Sequence, residues 1–272
     1  MGVLRPITET ENKEILLGML KELVHFFNVH NIRYYIAGGT LLGTIRHKGF
    51  IPWDDDIDIL MPRCDYIKLL KLVKENAEHF RKINIEIISH NCDRDTYYKR
   101  FKFADTRTIM EEFGEMRSAV FIDIFPLDFF KDNKRLMLRG RICHTLSNLL
   151  DLCSANRAMG TGVKRVIYTV LLMLHRAIGR KKMIDFYERK FVEFAKFREE
   201  GIACASQSWG MPICFTDAKL WRDVEIMKFE GIDVSIPVGW DAILTQCYGD
   251  YMTPPPVDKR FAHDNYKMYW RD

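Results

Sequence analysis

The feature that most constrains this chain is a pair of acidic residues separated by one isoleucine at the start of an apolar run, Asp56-Ile57-Asp58-Ile59. Residues 57–61 predict a strand that ends at Pro62, because β-branched and apolar residues favour strands and proline interrupts them. Side chains alternate along a strand, so Asp56 and Asp58 would lie on one face. Two adjacent carboxylates repel each other, and a hard cation such as Mg²⁺ would relieve that repulsion. The alternative is a solvated acidic turn that caps a helix.

A third carboxylate is predicted from a second apolar run, Phe121-Ile122-Asp123-Ile124-Phe125. Burial of a lone charged carboxylate is costly, so Asp123 should either join the metal site or accept hydrogen bonds from backbone amides. Asp54 and Asp55 precede the predicted strand, and we assign them to the loop. The predicted metal ligands, which are also the predicted catalytic residues, are therefore Asp56, Asp58 and Asp123, with Mg²⁺ as the expected ion and Mn²⁺ as the alternative.

A glycine pair, Gly38-Gly39, follows a short apolar run and precedes a helical turn predicted from Thr40 to Arg46. Glycines let the backbone approach a phosphate closely, and the first amides of a helix face an anion. A glycine pair alone is usually a turn, but this one precedes the acidic strand by less than 20 residues. The sequence has neither a Walker A loop nor a dinucleotide-binding G-x-G-x-x-G pattern. We therefore predict that Gly38, Gly39 and Thr40 bind phosphate.

Four basic residues are candidates to hold the same phosphates. Arg46 and Lys48 precede the acidic strand, and Lys99 and Arg100 lie in a run that alternates polar and apolar residues over 97–103. The guanidinium fork suits phosphate geometry better than an ammonium does. Ordinary surface charge is the alternative for all four.

Helical and extended patterns are interspersed along the chain, which predicts an α+β fold, a mixed sheet with flanking helices. An amphipathic helix is expected over 11–30 and another over 240–248, and strands over 34–37, 57–61, 83–89, 97–103 and 120–125. We divide the chain into a catalytic core (1–130), a basic helical insertion (131–200) and a C-terminal part that packs back on the core (201–272). The seven cysteines form no C-x-x-C pair and are odd in number, so free thiols are expected.

The insertion is strongly basic. Between Asp132 and Asp185 there are eleven lysines and arginines and one acid, Asp151, and bases flank the apolar residues 166–174. This pattern is typical of a helix that lies on an anionic membrane surface, and a solvated basic face is the alternative. The N-terminus shows no signal-peptide core, so a cytoplasmic location is expected. The net charge of +4 is too small to indicate a nucleic-acid partner.

Three blocks of this sequence resemble the LicD family. The first block is long and specific, and runs from Gly39 through Arg46-His47-Lys48-Gly49-Phe50-Ile51-Pro52-Trp53 to Asp58. The second runs from Phe121 to Asp128 and the third from Gln246 to Pro256, so the resemblance spans nearly the whole chain.

The resemblance implies a nucleotidyltransferase-like core and the Mg²⁺-dependent transfer of a phospho-alcohol. The expected donor is a CDP-alcohol, CDP-choline first, and the expected acceptor is a hydroxyl of a cell-surface glycan or its lipid-linked precursor, with CMP as the leaving group. It also implies that the glycine pair and the acids have the roles predicted above. Ribitol or glycerol phosphate transfer, nucleotidyl transfer from an NTP and a non-catalytic binding protein are the alternatives.

Overall fold

The computed structural model describes the chain in seven stretches: 4–88, 101–112, 115–118, 120–130, 201–205, 216–260 and 266–271, together with six separate helical positions between 166 and 189. Lys99, Arg100 and nearly all of the predicted helical insertion lie outside these residues.

Helix α1 (Glu9–Val29) forms the first layer of the core and confirms the predicted N-terminal helix. It begins with a capping box in which Thr8 Oγ1 accepts from the Glu11 amide and the Glu11 carboxylate accepts from the Thr8 amide. Its apolar residues recur at helical spacing, and this face is buried against the main sheet.

The main sheet contains β1 (Tyr35–Ile36), β2 (Asp58–Pro62), β3 (Ile85–Ile88), β4 (Phe101–Asp105) and β7 (Phe121–Phe130) in the order β1-β2-β7-β4-β3. Strand β2 pairs with β7 in parallel, while the other neighbours pair antiparallel. The second half of β7 also pairs with β8 (Ile202–Ala205), which pairs with β9 (Thr216–Asp217). The sheet is therefore mixed, and the predicted α+β class is confirmed.

Besides α1, three helices of the described residues flank this sheet. Helix α2 (Gly38–Arg46) follows β1 directly, and α3 (Arg63–Glu75) and α4 (Ala77–Lys82) lead from β2 to β3. The connection from α2 to β2 runs back along α2, because Gly43 lies against the Gly49 carbonyl and Gly39 lies against the Asp54 carboxylate. This return path brings the acidic residues to the N-terminal end of α2.

The C-terminal residues form a second set of elements. Strands β10 (Val224–Phe229) and β11 (Ile232–Pro237) make a hairpin, α5 (Trp240–Tyr248) follows it, and β12 (Tyr266–Trp270) joins β5 (Thr108–Glu112) and β6 (Glu115–Ser118) in a separate sheet. The hairpin contacts the core, since the Ser235 amide donates to Tyr34 Oη and the Glu230 amide donates to the Lys48 carbonyl. Helix α5 coincides with the predicted helix 240–248.

Two predictions about local structure are wrong. Strand β2 begins at Asp58, so Asp56 lies in the loop before the strand. The two acids therefore do not lie on one face of a strand, as the alternation had predicted. Cys247 is disulfide-bonded, whereas Cys64 is an exposed free thiol, so the prediction of free thiols fails at Cys247. Within the described residues, no helix has both the length and the apolar character that a bilayer crossing requires.

Candidate active site

The N-terminal end of α2 is the first component of the candidate site. Gly38 opens the helix with φ of 56°, a left-handed conformation that glycine adopts without strain. The preceding Ala37 provides no side-chain cap, and the first amides of a helix have no partner within it. These amides, which belong to the predicted phosphate-binding residues Gly38, Gly39 and Thr40, are suited to bind an anion.

Thr40 connects this helix end to the acidic strand. Its Oγ1 accepts a hydrogen bond from the Asp58 amide at 3.0 Å, and the Asp58 carbonyl accepts from the Ala37 amide at 3.0 Å. Gly39 approaches the preceding loop so closely that a Cβ there would lie 2.7 Å from Asp54 Oδ2. The helix end and the acidic residues therefore form one packed unit, and a side chain at position 39 would displace Asp54.

Asp58 and Asp123 lie on neighbouring parallel strands. The two residues are directly paired in the register of β2 and β7, and the Asp123 amide donates to the Ile57 carbonyl at 3.1 Å. Asp123 is only 6% exposed, and Asp58 is partly buried. The structure thus brings together two of the three predicted ligands, which come from sequence positions 65 residues apart.

The loop before β2 supplies a further group of carboxylates. Asp54, Asp55 and Asp56 are partly buried, and one ligand oxygen from each lies within 4.8 Å of the others. They are the group of three within the described ranges that meets this distance, and Asp56, Asp58 and Asp123 do not meet it. Asp54 and Asp55, which were assigned to the loop from the sequence, are therefore also candidate cation ligands. An all-oxygen donor set suits Mg²⁺ or Mn²⁺, and the exact ligand set stays a prediction.

Lys102 also lies at the site, although it was not among the residues predicted from the sequence. It lies on β4 opposite Asp123, and its Nζ is 3.4 Å from Asp123 Oδ1 and 3.0 Å from the centre of the Phe121 ring. Only 3% of Lys102 is exposed. The available signal was its position on the same face as Arg100 in the alternating run, but alternation does not distinguish a solvated lysine from a buried one.

Tyr248, the last residue of α5, lies in the electrostatic field of the acids. Desolvation of its hydroxyl, and then the charges of Asp58, Asp54 and Asp56, raise the pKa of Tyr248 to about 12. The residue as a whole is still 41% exposed, so part of it remains open to solvent. The hydroxyl therefore keeps its proton at neutral pH and can donate a hydrogen bond beside the carboxylates.

Two of the four predicted phosphate-binding bases, Arg46 and Lys48, lie within the described residues and differ in burial. Arg46, at the last turn of α2, donates from Nη1 to the Tyr251 carbonyl at 2.7 Å. Desolvation and the positive charge of Arg260 lower the pKa of Arg46. Lys48 is exposed in a turn with φ of 62°. The phosphate-binding roles of Arg46, Lys48, Lys99 and Arg100 stay predictions.

Comparison with known proteins agrees with this arrangement. Residues 31–145 match the family described as "LicD/FKTN/FKRP, nucleotidyltransferase domain". This stretch holds α2, the acidic loop, β2 and the Asp123 strand. The chain carries a LicD-family domain. The predicted resemblance is confirmed, and a LicD-family domain implies a transferase.

The similarity to one relative extends beyond the LicD-family domain. The chain is 27% identical over 270 residues to the lipopolysaccharide cholinephosphotransferase LicD of Haemophilus influenzae, covering 98% of this chain and 99% of that protein. Uncharacterised proteins of Rickettsia prowazekii (27% over 130 residues) and Rickettsia typhi (29% over 127 residues) each align with 46% of this chain. These two alignments cover 45% and 38% of the respective relatives.

Proposed function

We propose that this protein transfers phosphocholine from CDP-choline to a hydroxyl of a cell-surface glycan, such as lipopolysaccharide or its lipid-linked precursor, in a Mg²⁺-dependent reaction. The observation that carries the proposal is the placement of Asp58 against Asp123, beside Asp54–Asp56 and the N-terminal end of α2, within a LicD-family domain. The full-length similarity to a lipopolysaccharide cholinephosphotransferase supports the choice of the transferred group and of the acceptor.

In the proposed reaction the acceptor hydroxyl oxygen forms a bond to the phosphorus that carries choline. The bond from this phosphorus to the bridging oxygen breaks, and CMP leaves with the electron pair. A divalent cation held by the carboxylates would neutralise charge on the donor diphosphate.

The protein's own groups supply the rest of the site. The amides of Gly38–Thr40 would bind a diphosphate oxygen, and Thr40 holds Asp58 in place. Asp123 is the candidate to accept the hydroxyl proton, and Lys102 fixes the position of its carboxylate.

The test is a ³¹P NMR assay of the purified protein with Mg²⁺, purified lipopolysaccharide and, in turn, CDP-choline, CDP-ethanolamine, CDP-ribitol and CTP. We expect CMP and a new phosphodiester signal with CDP-choline, and loss of both in Asp58→Asn. Asp223→Asn, which removes an exposed acid outside the site, should retain activity. Turnover of CDP-ribitol alone would assign a different phospho-alcohol, and pyrophosphate release from CTP would assign nucleotidyl transfer. No reaction with any donor would refute the proposed function.

We further propose that the basic helical insertion (131–200) brings the enzyme to the anionic cytoplasmic face of the membrane, where it would reach a lipid-linked acceptor. Val166, Val170 and Met173 are helical and are 63%, 51% and 63% exposed. Their spacings of four and three residues are those of neighbours on one helix face. Vesicles with 30% phosphatidylglycerol should bind the wild type in a flotation assay at low salt, and Val170→Glu should bind more weakly. Absence of wild-type binding would refute this localisation.

A further inference from the structure

Arg260 and His47 both contact the indole of Trp53, which immediately precedes the acidic loop, and Arg46 lies beside His47. The Arg260 guanidinium lies over the indole, with Cζ 5.0 Å from the ring centre, and its Nε donates to the Pro255 carbonyl at 2.8 Å. The His47 imidazole meets the same indole edge-on at 6.5 Å between ring centres, and Arg46 Nε lies 3.4 Å from His47 Nδ1. Sequence positions more than 200 residues apart thus meet in one basic cluster.

The charges of this cluster are not balanced within it. Across the part of the chain that the structure describes, no carboxylate lies within ion-pair distance of Arg46 or Arg260. Both arginines are half-buried, and each is close enough to the other for their positive charges to interact unfavourably. Each guanidinium has five N–H donors. The Tyr251 carbonyl and His47 Nδ1 engage two donors of Arg46, and the Pro255 carbonyl engages one donor of Arg260. The remaining donors and the excess positive charge are suited to an oxyanion.

Arg46 and the candidate phosphate-binding residues start from opposite ends of α2. The helix has nine residues, so its two ends are about 12 Å apart along the axis. Gly38 and the acids lie at one end, and Arg46 begins from the other. The two arginines therefore offer positive charge at a second position, and a ligand that reached both this position and the N-terminal end of α2 would carry negative charge at two places.

We propose that Arg46 and Arg260 bind a phosphate or carboxylate group on the acceptor glycan. The assignment to the acceptor rests on the proposed function, because the donor there has no second anion: its diphosphate occupies the acid site, cytidine is neutral, and choline is a cation that two guanidiniums repel. An anionic sugar substituent would hold the acceptor with its hydroxyl directed toward the acids. The predicted phosphate role of Arg46 is thereby moved from the donor to the acceptor.

Anion binding is tested first without any transfer reaction. Inorganic phosphate and glucose 6-phosphate are titrated into the protein in EDTA at low salt, and binding is followed by ³¹P line width. Wild type should bind both saturably, whereas Arg260→Gln should bind at least about tenfold more weakly, as expected for the loss of a charge-assisted hydrogen bond. Lys259→Gln, which removes an exposed charge from the neighbouring residue, should bind within about twofold of wild type.

Equal binding by wild type and Arg260→Gln, or an equal loss in Lys259→Gln, would overturn the subsite. Thermal midpoints of the variants should match that of wild type, and Arg46→Gln provides a second substitution in the same subsite. Because this arm needs no turnover, its result is independent of whether the proposed transfer reaction is observed.

A kinetic arm then identifies the source of the anion. Arg260→Gln should raise KM for a phosphorylated acceptor, leave KM for CDP-choline unchanged, and have little effect on a dephosphorylated acceptor. A rise in KM for the donor instead would overturn the assignment to the acceptor.

Discussion

Substitution of Lys102 by methionine removes one charge from the buried pair with Asp123 while keeping most of the side-chain volume. The pair is 3.4 Å apart, and its side chains are 4% and 9% exposed, so solvent screens it weakly. At an effective dielectric constant of about 20, the Coulomb energy at this distance is about 5 kcal/mol. Breaking one partner of a buried pair costs about 3–5 kcal/mol, because the remaining charge stays desolvated. We expect Lys102→Met to lower the free energy of unfolding by this amount in EDTA.

Urea denaturation monitored by tryptophan fluorescence measures this change. Lys228→Met is the matched control, because it breaks a 2.8 Å pair with Asp233 in which both side chains are 65% exposed, and it should cost less than about 1 kcal/mol. The double variant Lys102→Met/Asp123→Asn should recover much of the loss, since it leaves no unpaired charge. Equal urea midpoints for Lys102→Met and Lys228→Met would refute the reasoning.

The same variant should bind a divalent cation more tightly. Removal of an ammonium beside Asp123 increases the negative charge at the candidate metal site, so we expect the Mn²⁺ affinity of Lys102→Met to rise about tenfold, as measured by electron paramagnetic resonance. An unchanged affinity would show that the charge of Lys102 does not affect cation binding at this site.

Four further substitutions test packing and charge. Gly39→Ala should weaken Mn²⁺ binding with little loss of stability, because its Cβ would displace the Asp54 carboxylate. Gly43→Ala would place Cβ 2.4 Å from the Gly49 carbonyl oxygen. It should therefore lower the free energy of unfolding by about 1–3 kcal/mol in urea titrations. Asp128→Asn should destabilise by about 3 kcal/mol, because it removes the negative charge from the buried bidentate pair with Arg63. A shift in the thermal midpoint of less than 2 °C would contradict this. The capping hydrogen bond from the Thr8 backbone, and then the Arg5 side chain, lower the pKa of Glu11 to about 2. Glu11→Gln should therefore be less stable than wild type at pH 6. This difference in stability should disappear as the pH falls from 4.5 to 2.

Several parts of the fold were accessible from local patterns. Helix α1 and helix α5 were predicted because apolar residues recur along each at the helical period. The strand that carries Asp123 was predicted because β-branched and aromatic residues surround one acid. The predicted strand 57–61 lies one residue before the observed β2, since the apolar pattern does not indicate where the ladder hydrogen bonds begin. Asp56 was misplaced because the alternation of the strand was extended back into the preceding loop.

The sequence by itself determined the chemistry available to this protein: a glycine pair, a run of acids and a third acid on an apolar strand, in the order typical of the LicD family. Only the tertiary structure decided which groups meet. The parallel register of β2 and β7 sets Asp58 against Asp123, β4 brings Lys102 to the same acid, and the C-terminal residues deliver Arg260 to Trp53. The physical reason is that local propensity acts over a few residues, whereas these contacts depend on strand register and on packing between distant segments, which no local pattern records.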